Sequence, residues 1–296
     1  MKLSRNLILT FLALAGLIAA KPLCAQSGEP DPISGESLAE RNLKELVRKE
    51  RAIWASLEEA TNEEDIETAK PKFQEVLTGY DGLVRDNPEF VPAFVAYGLL
   101  LARIDEIKAS RAIFMRANQL DPNIAVVKNQ LGNFLVEDAL YKEALPYYLA
   151  AIELEPREPL YHYQLGTLLT EFMPYFIRDR LYDRRTIETE MQEAFRQAAA
   201  LDPDNWAYGY RYAESFYDLE DPDWDKAMTE WSQLERRARP GIERQTIQLH
   251  QANIMIRQGR TLAARDILEK IDEPVLASNR QTLEDELEGR VNPDGG

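Results

Sequence analysis

The stretch Ala125–Pro156 reads AVVKNQLGNFLVEDALYKEALPYYLAAIELEP, and its spacing decides how the chain folds. Leu131, Gly132 and Leu135 fall on one helical face, Tyr141, Ala144, Tyr148 and Ala151 on a second, and Pro156 closes the segment. The segment from Val91 repeats the pattern with Phe94, Tyr97, Gly98, Leu101, Ser110, Phe114, Ala117 and Pro122. Pro88, Pro122 and Pro156 therefore stand 34 residues apart. A period of this size marks a helix–turn–helix array, in which each unit buries its apolar face on the next. Gly98 and Gly132 are expected to let the second helix of a pair cross close to the first, with Ser110 and Ala144 as small partners at the crossing. Phe114 and Tyr148 are expected to fill the space between neighbouring pairs. Proline has no backbone N–H and biases the residue before it away from helix, so the chain turns there.

The pattern resembles the tetratricopeptide repeat, with Leu131-Gly132 and Ala144, Tyr148 and Pro156 at that family's signature positions. The resemblance implies an all-α fold: an α-solenoid of antiparallel helix pairs wound as a right-handed superhelix. The family's frequent tryptophan near the start of the repeat is Phe94 in one unit and Lys128 in the next. One subgroup of the family holds C-terminal carboxylates through a lysine–arginine clamp. Gln130, Leu160 and Gln164 stand where its asparagine, lysine and arginine would fall, so that clamp is missing.

Outward from this centre the register loosens. A unit over 159–205 carries Tyr161, Leu165, Gly166 and Leu169, then Met191, Phe195, Ala198 and Pro203. Its prolines stand 47 residues apart, which leaves 13 residues beyond the period, expected between its two helices over 172–187. Tyr212, Ala213, Phe216, Ala227, Trp231 and Leu234 mark a unit over 206–240. Ala252, Met255, Gly259, Ala264, Leu268 and Ile271 mark a partial one over 245–274. At the front, a unit near 57–90 has a good second helix in Phe73, Tyr80 and Leu83, with Pro71 in its first turn, but its first helix is off register. Ser37-Leu-Ala-Glu40 is a capping box, followed by an apolar face of Leu43, Leu46, Val47, Ile53, Trp54 and Leu57. The solenoid is expected over 37–271, with a polar capping helix over 272–290 and a tail over 291–296.

Residues 1–25 are expected to be a signal peptide: Lys2 and Arg5 precede an apolar run from Leu7 to Ala20, and Leu23-Cys24-Ala25 ends it. That run is short for a membrane span. Cys24 as a lipidated cysteine is disfavoured by Lys21, Pro22 and Leu23 before it, and cleavage after Ala25 would leave no cysteine in the mature chain. Residues 26–36 read as a flexible leader. Localisation is therefore expected to be periplasmic or secreted. The chain has 35 basic and 51 acidic side chains, for a net charge of −16. Such a surface repels phosphate backbones and anionic lipid, which argues against nucleic acid and membrane insertion and leaves a protein or peptide as partner.

Catalytic signatures are sparse. The two histidines, His162 and His250, lie far apart in the repeat order, and neither a phosphate loop nor a nucleophile elbow nor a paired-histidine motif occurs. His162 is expected to be a satisfied packing residue. Glu220-Asp221-Pro-Asp223-Trp-Asp225 resembles the start of a calcium loop, but Lys226 and Ser232 stand where glycine and glutamate are needed, so an acidic helix cap is expected instead. No enzyme activity, cofactor or metal is expected. The repeat class directs certain residues of each first helix into its groove: Val95, Leu99 and Arg103; Asn129, Asn133 and Glu137; Tyr163, Thr167 and Glu171; and Tyr210, Glu214, Tyr217 and Asp218. Asparagine offers a donor and an acceptor to an extended peptide, and tyrosine offers apolar area with a polar tip. A third possibility, an enzyme or small-ligand protein, would use the acidic groove residues Glu137, Glu171 and Glu214. The second surface is the insertion, basic and aromatic in an acidic chain, with Tyr175, Phe176, Arg178, Arg180, Arg184 and Arg185 as binding candidates. It reads either as a docking element or as an extended helix pair whose aromatics pack inward and whose arginines pair with nearby carboxylates.

Overall fold

The computed structural model describes residues 37–58 and 63–289. The expected signal peptide, the leader through residue 36 and the tail over 291–296 lie outside them. Every regular element among the described residues is helical. In chain order these are α1 (Leu38–Glu58), α2 (Glu63–Asp86), α3 (Val91–Arg103), α4 (Ile107–Leu120), α5 (Ala125–Glu137), α6 (Tyr141–Leu154) and α7 (Pro159–Arg178). They continue with α8 (Arg184–Leu201), α9 (Trp206–Glu214), α10 (Trp224–Glu235), α11 (Ile242–Arg257), α12 (Thr261–Leu268) and α13 (Ala277–Leu287). Short 3₁₀ turns cover Ser215–Asp218 and Pro274–Leu276. The fold is an all-α helical repeat. The chain divides into two compact units between Val127 and Lys128, inside α5.

In the first unit, α1 opens on the capping box: Ser37 N donates to Glu40 Oε2 at 2.7 Å, and Glu40 N donates to Ser37 Oγ at 3.2 Å. Two of the helix's orphan donors are thereby satisfied. Ile53, Ala69, Val76, Tyr80 and Leu100 form a buried core, with Leu46, Val47, Trp54 and Phe73 packed around it. The partner of α2 is therefore α1, which explains why a helix near 57 is off register. Pro71 does not open a helix, as its sequence position suggests, but lies inside α2. There its missing N–H removes one backbone bond, and burial of Ala69 and Val76 on either side offsets the loss.

The signature glycines sit where the second helix of each pair crosses close to the first, but the aromatics take a place the sequence did not indicate. A Cβ on Gly98 would stand 2.9 Å from the Phe114 ring, one on Gly132 2.8 Å from the Tyr148 ring, and one on Gly166 2.7 Å from the Phe195 ring. Each aromatic thus seats on the glycine of its own helix pair, whereas Phe114 and Tyr148 were expected between pairs. The crossing is tied as well: Ser110 Oγ donates to the Gly98 carbonyl at 2.8 Å.

In the second unit the 13 additional residues form no loop between helices. Eleven of them lengthen both members of one pair, to 20 residues in α7 and 18 in α8, against 13 in α3 and 14 in α4, and two widen the turn, 179–183 against 104–106. The Gly166–Phe195 contact survives because the additional turns lie beyond it. Tyr141, Leu145, Leu168, Met173, Phe176, Ile187 and Phe195 make one core of this unit. Ala213, Phe216, Trp231 and Ile247 make a second, and Leu249, Ala252, Leu268, Ile271, Leu276 and Leu283 a third. Leu276 and Leu283 are how the last turn and α13 close that end.

Candidate functional site

Within the second unit, side-chain contacts link α7 to α9 and α9 to α11, and α5 opens the helix pair before them. On α5, Asn133 Oδ1 accepts from the Tyr148 hydroxyl at 2.8 Å, and its Nδ2 donates to Gln130 Oε1 at 3.3 Å. On α7, Tyr163 packs edge-on to Phe195 at 5.8 Å and tilts against Tyr208 of α9 at 5.2 Å. Thr167 Oγ1 donates to the Tyr163 carbonyl at 3.0 Å.

Arg211 of α9 ties these helices together. Its guanidinium donates to Thr170 Oγ1 at 3.1 Å and to Asp218 Oδ2 at 2.9 Å, reaches Glu214 at 3.5 Å, and lies 4.4 Å from the centre of the Phe195 ring. Burial raises the carboxyl pKa of Glu171 and Glu214 above the usual range, and the charge on Arg211 opposes that rise. The face is acidic and held in place from within.

At its far end, Tyr210, Tyr217 and Trp231 enclose His250 of α11. The imidazole stacks on Trp231 with ring centres 4.0 Å apart. Its Nε2 lies 2.8 Å from the Tyr210 hydroxyl and its Nδ1 3.4 Å from the Tyr217 hydroxyl. Tyr217 donates to the His250 carbonyl at 3.3 Å, so its oxygen is left to accept from Nδ1–H, and Nε2 accepts from Tyr210. One neutral tautomer satisfies the whole set. Burial pushes the imidazole down to about 4 and the Tyr210 phenol up to about 12. Arg257 sits 5.3 Å over Trp224, which in turn packs on Tyr217.

Of the groove candidates, Asn133, Tyr163, Thr167, Tyr210, Glu214 and Tyr217 are half-buried along this face. Val95 and Leu99 are half-buried on α3 of the first unit. Asn129 is a correction: it is fully buried, with neither amide atom hydrogen-bonded, so it offers no surface to a partner. Sequence reasoning did not single out Arg211, read Trp231 only as a repeat-marking residue, and weighed His250 only as a catalytic histidine rather than placing either on this face. Arg211 follows Tyr210 in an aromatic-rich helix, and that adjacency was the one available signal. Among the described residues, no group of three His, Cys, Asp or Glu side chains converges as metal ligands would. Asp223 accepts from Lys226 N at 3.0 Å and caps α10, as the acidic-turn reading expects. His162 lies 2.9 Å from the Pro156 carbonyl and ties the turn before α7.

The other surface is the end of the α7–α8 pair. Phe176 is fully buried beneath Tyr141, at 4.9 Å between ring centres, and so is no contact residue. Tyr175 is exposed, with Arg178 over its ring at 5.0 Å. Asp179 collects the Tyr141 hydroxyl at 2.5 Å, Lys142 at 2.6 Å and Arg178 at 2.9 Å, and these three hold its carboxyl far below the usual range. Arg184 pairs with Glu188 at 2.6 Å. Arg180 and Arg185 are exposed with no carboxylate partner. No helix among the described residues is long and apolar enough to cross a membrane.

No protein-family model and no curated protein matches the chain. Solved structures do. YrrB, described as a TPR protein with an unusual peptide-binding site, superposes with a TM-score of 0.57 at 16% identity, over 69% of this chain and 97% of its own. PilF of Pseudomonas aeruginosa gives 0.51 at 15%, over 82% and 99%. Naa15, solved with Naa10 and bound to HypK, gives 0.51 at 13%, over 86% of this chain but 34% of that one. At such identities the likeness speaks for the backbone arrangement, and it agrees with the repeat register, the glycine–aromatic contacts and the paired helices: the chain has the tetratricopeptide-repeat fold.

Proposed function

We propose that the protein is a non-catalytic, exported adaptor that holds a peptide or a segment of a partner protein against the face formed by α5, α7, α9 and α11. The observation that carries this reading is the set of half-buried side chains Tyr163, Arg211, Tyr210 and Tyr217, linked from α7 through α9 to α11, with Asn133 half-buried on α5. Contacts between helices fix these side chains before any ligand arrives, which lowers the ordering cost of binding. Tyrosine rings there offer apolar area beside carboxylates that would favour a basic segment. The peptide-binding site of YrrB lends support by analogy of fold, and the expected signal peptide places the work outside the cytoplasm.

Alanine at Asn133, Tyr163 and Tyr210 should weaken capture of partners from envelope extract while the circular dichroism spectrum stays helical. Thr167→Arg, at a half-buried position on the same face, serves as a second variant. Unchanged capture in both rejects the face. A broad hydrolase screen on the mature protein tests the enzyme alternative built on Glu137, Glu171 and Glu214.

A second reading is an envelope-assembly factor that docks through the end of the α7–α8 pair. It is favoured by the exposure of Tyr175, Arg180, Tyr182 and Arg185 at that end.

A further inference from the structure

Between α6 and the α7–α8 turn lies a groove of about 250 Å³, lined by Leu145, Pro146, Leu149, Phe176, Leu181 and Tyr182, with Lys142 at its edge. Leu149, Leu181 and Tyr182 are 47%, 45% and 43% exposed, three large apolar side chains open to water around one depression. Such a cluster marks an interaction site more often than a scattered exposed leucine does. Its floor is held in place, because Phe176 is fully buried and packed edge-to-face against Tyr141, whose hydroxyl is held by Asp179.

The charge around this groove runs against that of the chain. Three acids of the α7–α8 turn and of the start of α8 are already engaged. Asp179 is shared by Tyr141, Lys142 and Arg178, and Asp183 accepts from Thr186 N at 2.8 Å and so caps α8. Glu188 holds Arg184 and accepts from Glu220 N at 3.0 Å. Arg180 precedes Leu181 and Arg185 follows Tyr182 by three residues, and both guanidiniums are unopposed. On a chain of charge −16, exposed arginines beside an apolar-floored groove would attract acidic ligands and repel basic ones.

We propose that this groove docks an acidic segment of another protein, one large apolar side chain seating among Leu149, Leu181 and Tyr182 while flanking carboxylates meet Arg180 and Arg185. The inference rests on the second reading above and supplies the chemistry of the ligand. It shares no residue with the face on α5, α7, α9 and α11.

The test is a fluorescence-anisotropy titration of the full chain with three labelled peptides of equal length. One is built of Glu, Gly and a central Leu, one replaces Glu with Lys, and one replaces Leu with Ser. The Glu–Leu peptide should bind about tenfold more tightly than either of the others and weaken as salt is added. The double variant Arg180→Glu, Arg185→Glu, whose residues are exposed, should weaken it by about tenfold or more. Leu149→Ser, which leaves the charge unchanged, should do the same through the apolar contact. No binding, equal binding of all three peptides, or an unaltered affinity in both variants overturns the inference. So does concentration-dependent dimerisation abolished by the double variant, which would make a second copy the occupant. Preference for the Lys peptide also overturns the acidic ligand but leaves docking at this end intact. Docking at this end fails separately if both variants assemble normal envelope complexes.

Discussion

The imidazole of His250 lies flat on the indole of Trp231, with planes 4° apart and ring centres 4.0 Å apart, so the base is shielded on one face by carbon and on its edges by two tyrosines. Burial lowers its pKa from an ordinary 6.5 to about 4 in the fold. A depressed folded pKa means that the unfolded chain takes up the proton first. Stability is therefore complete above about pH 6.5 and declines by up to ~1.4 kcal/mol per pH unit as pH falls toward 4. His250→Gln should lower stability near neutrality yet flatten this slope. Urea unfolding across that range checks it, and an unchanged slope removes His250 as the cause.

Gly166 and Gly82 both sit in helices but face opposite surroundings. A Cβ at Gly166 meets the Phe195 ring at 2.7 Å, whereas one at Gly82 finds only Arg85 at 3.7 Å. Gly166→Ala should destabilise by ~1–3 kcal/mol through forced repacking. Gly82→Ala should stabilise by ~0.5–1 kcal/mol by restricting the unfolded chain. Thermal melts of the two variants, moving in opposite directions, are the expected result.

Arg211→Met removes the cation that restrains the carboxyls of Glu171 and Glu214. Both pKa values then rise further under burial. A carboxyl with a raised folded pKa favours the fold while protonated and loses that advantage as pH rises through the folded value. The variant should lose up to ~1 kcal/mol at neutral pH, since both carboxyls reach solvent and are partly screened, and less in mild acid. Denaturation at the two conditions separates this from a pH-independent packing loss.

Asp179→Asn removes the acceptor shared by Tyr141, Lys142 and Arg178. The carboxyl's depressed pKa contributes stability above its ordinary range that disappears as pH falls through the folded value. The variant should be less stable at neutral pH, approach the parent in strong acid, and exchange amide hydrogens faster over 178–185. Exchange at the wild-type rate would show that Phe176 alone holds the turn.

Repeat architecture was legible because Gly98, Gly132 and Gly166 recur with an aromatic partner, a constraint that local spacing records. The identity of that contact was not, since offsets do not say whether Phe114 faces its own pair or the next. Pro71 misled because a proline's preference for helix starts is local, and packing by α1 overrides it. Asn129 and Phe176 illustrate the weakness in the candidate sites: helical phase places a residue on a face, but its burial depends on helices distant in sequence. Arg211 and His250 were hidden for the same reason, their partners lying 41 and 40 residues away.

Gly98 and Gly132 each meet an aromatic 16 residues on, while Gly166 meets Phe195 after 29, and the difference is the 13 residues gained by that pair. Length has thus been added at the free end of a hairpin without disturbing its hinge-side clasp. That end is a graft point: foreign epitopes spliced between Arg180 and Leu181, which keep Asp179 and Asp183 in place, should leave the remaining array folded, making this protein a display scaffold whose cargo and framework vary independently.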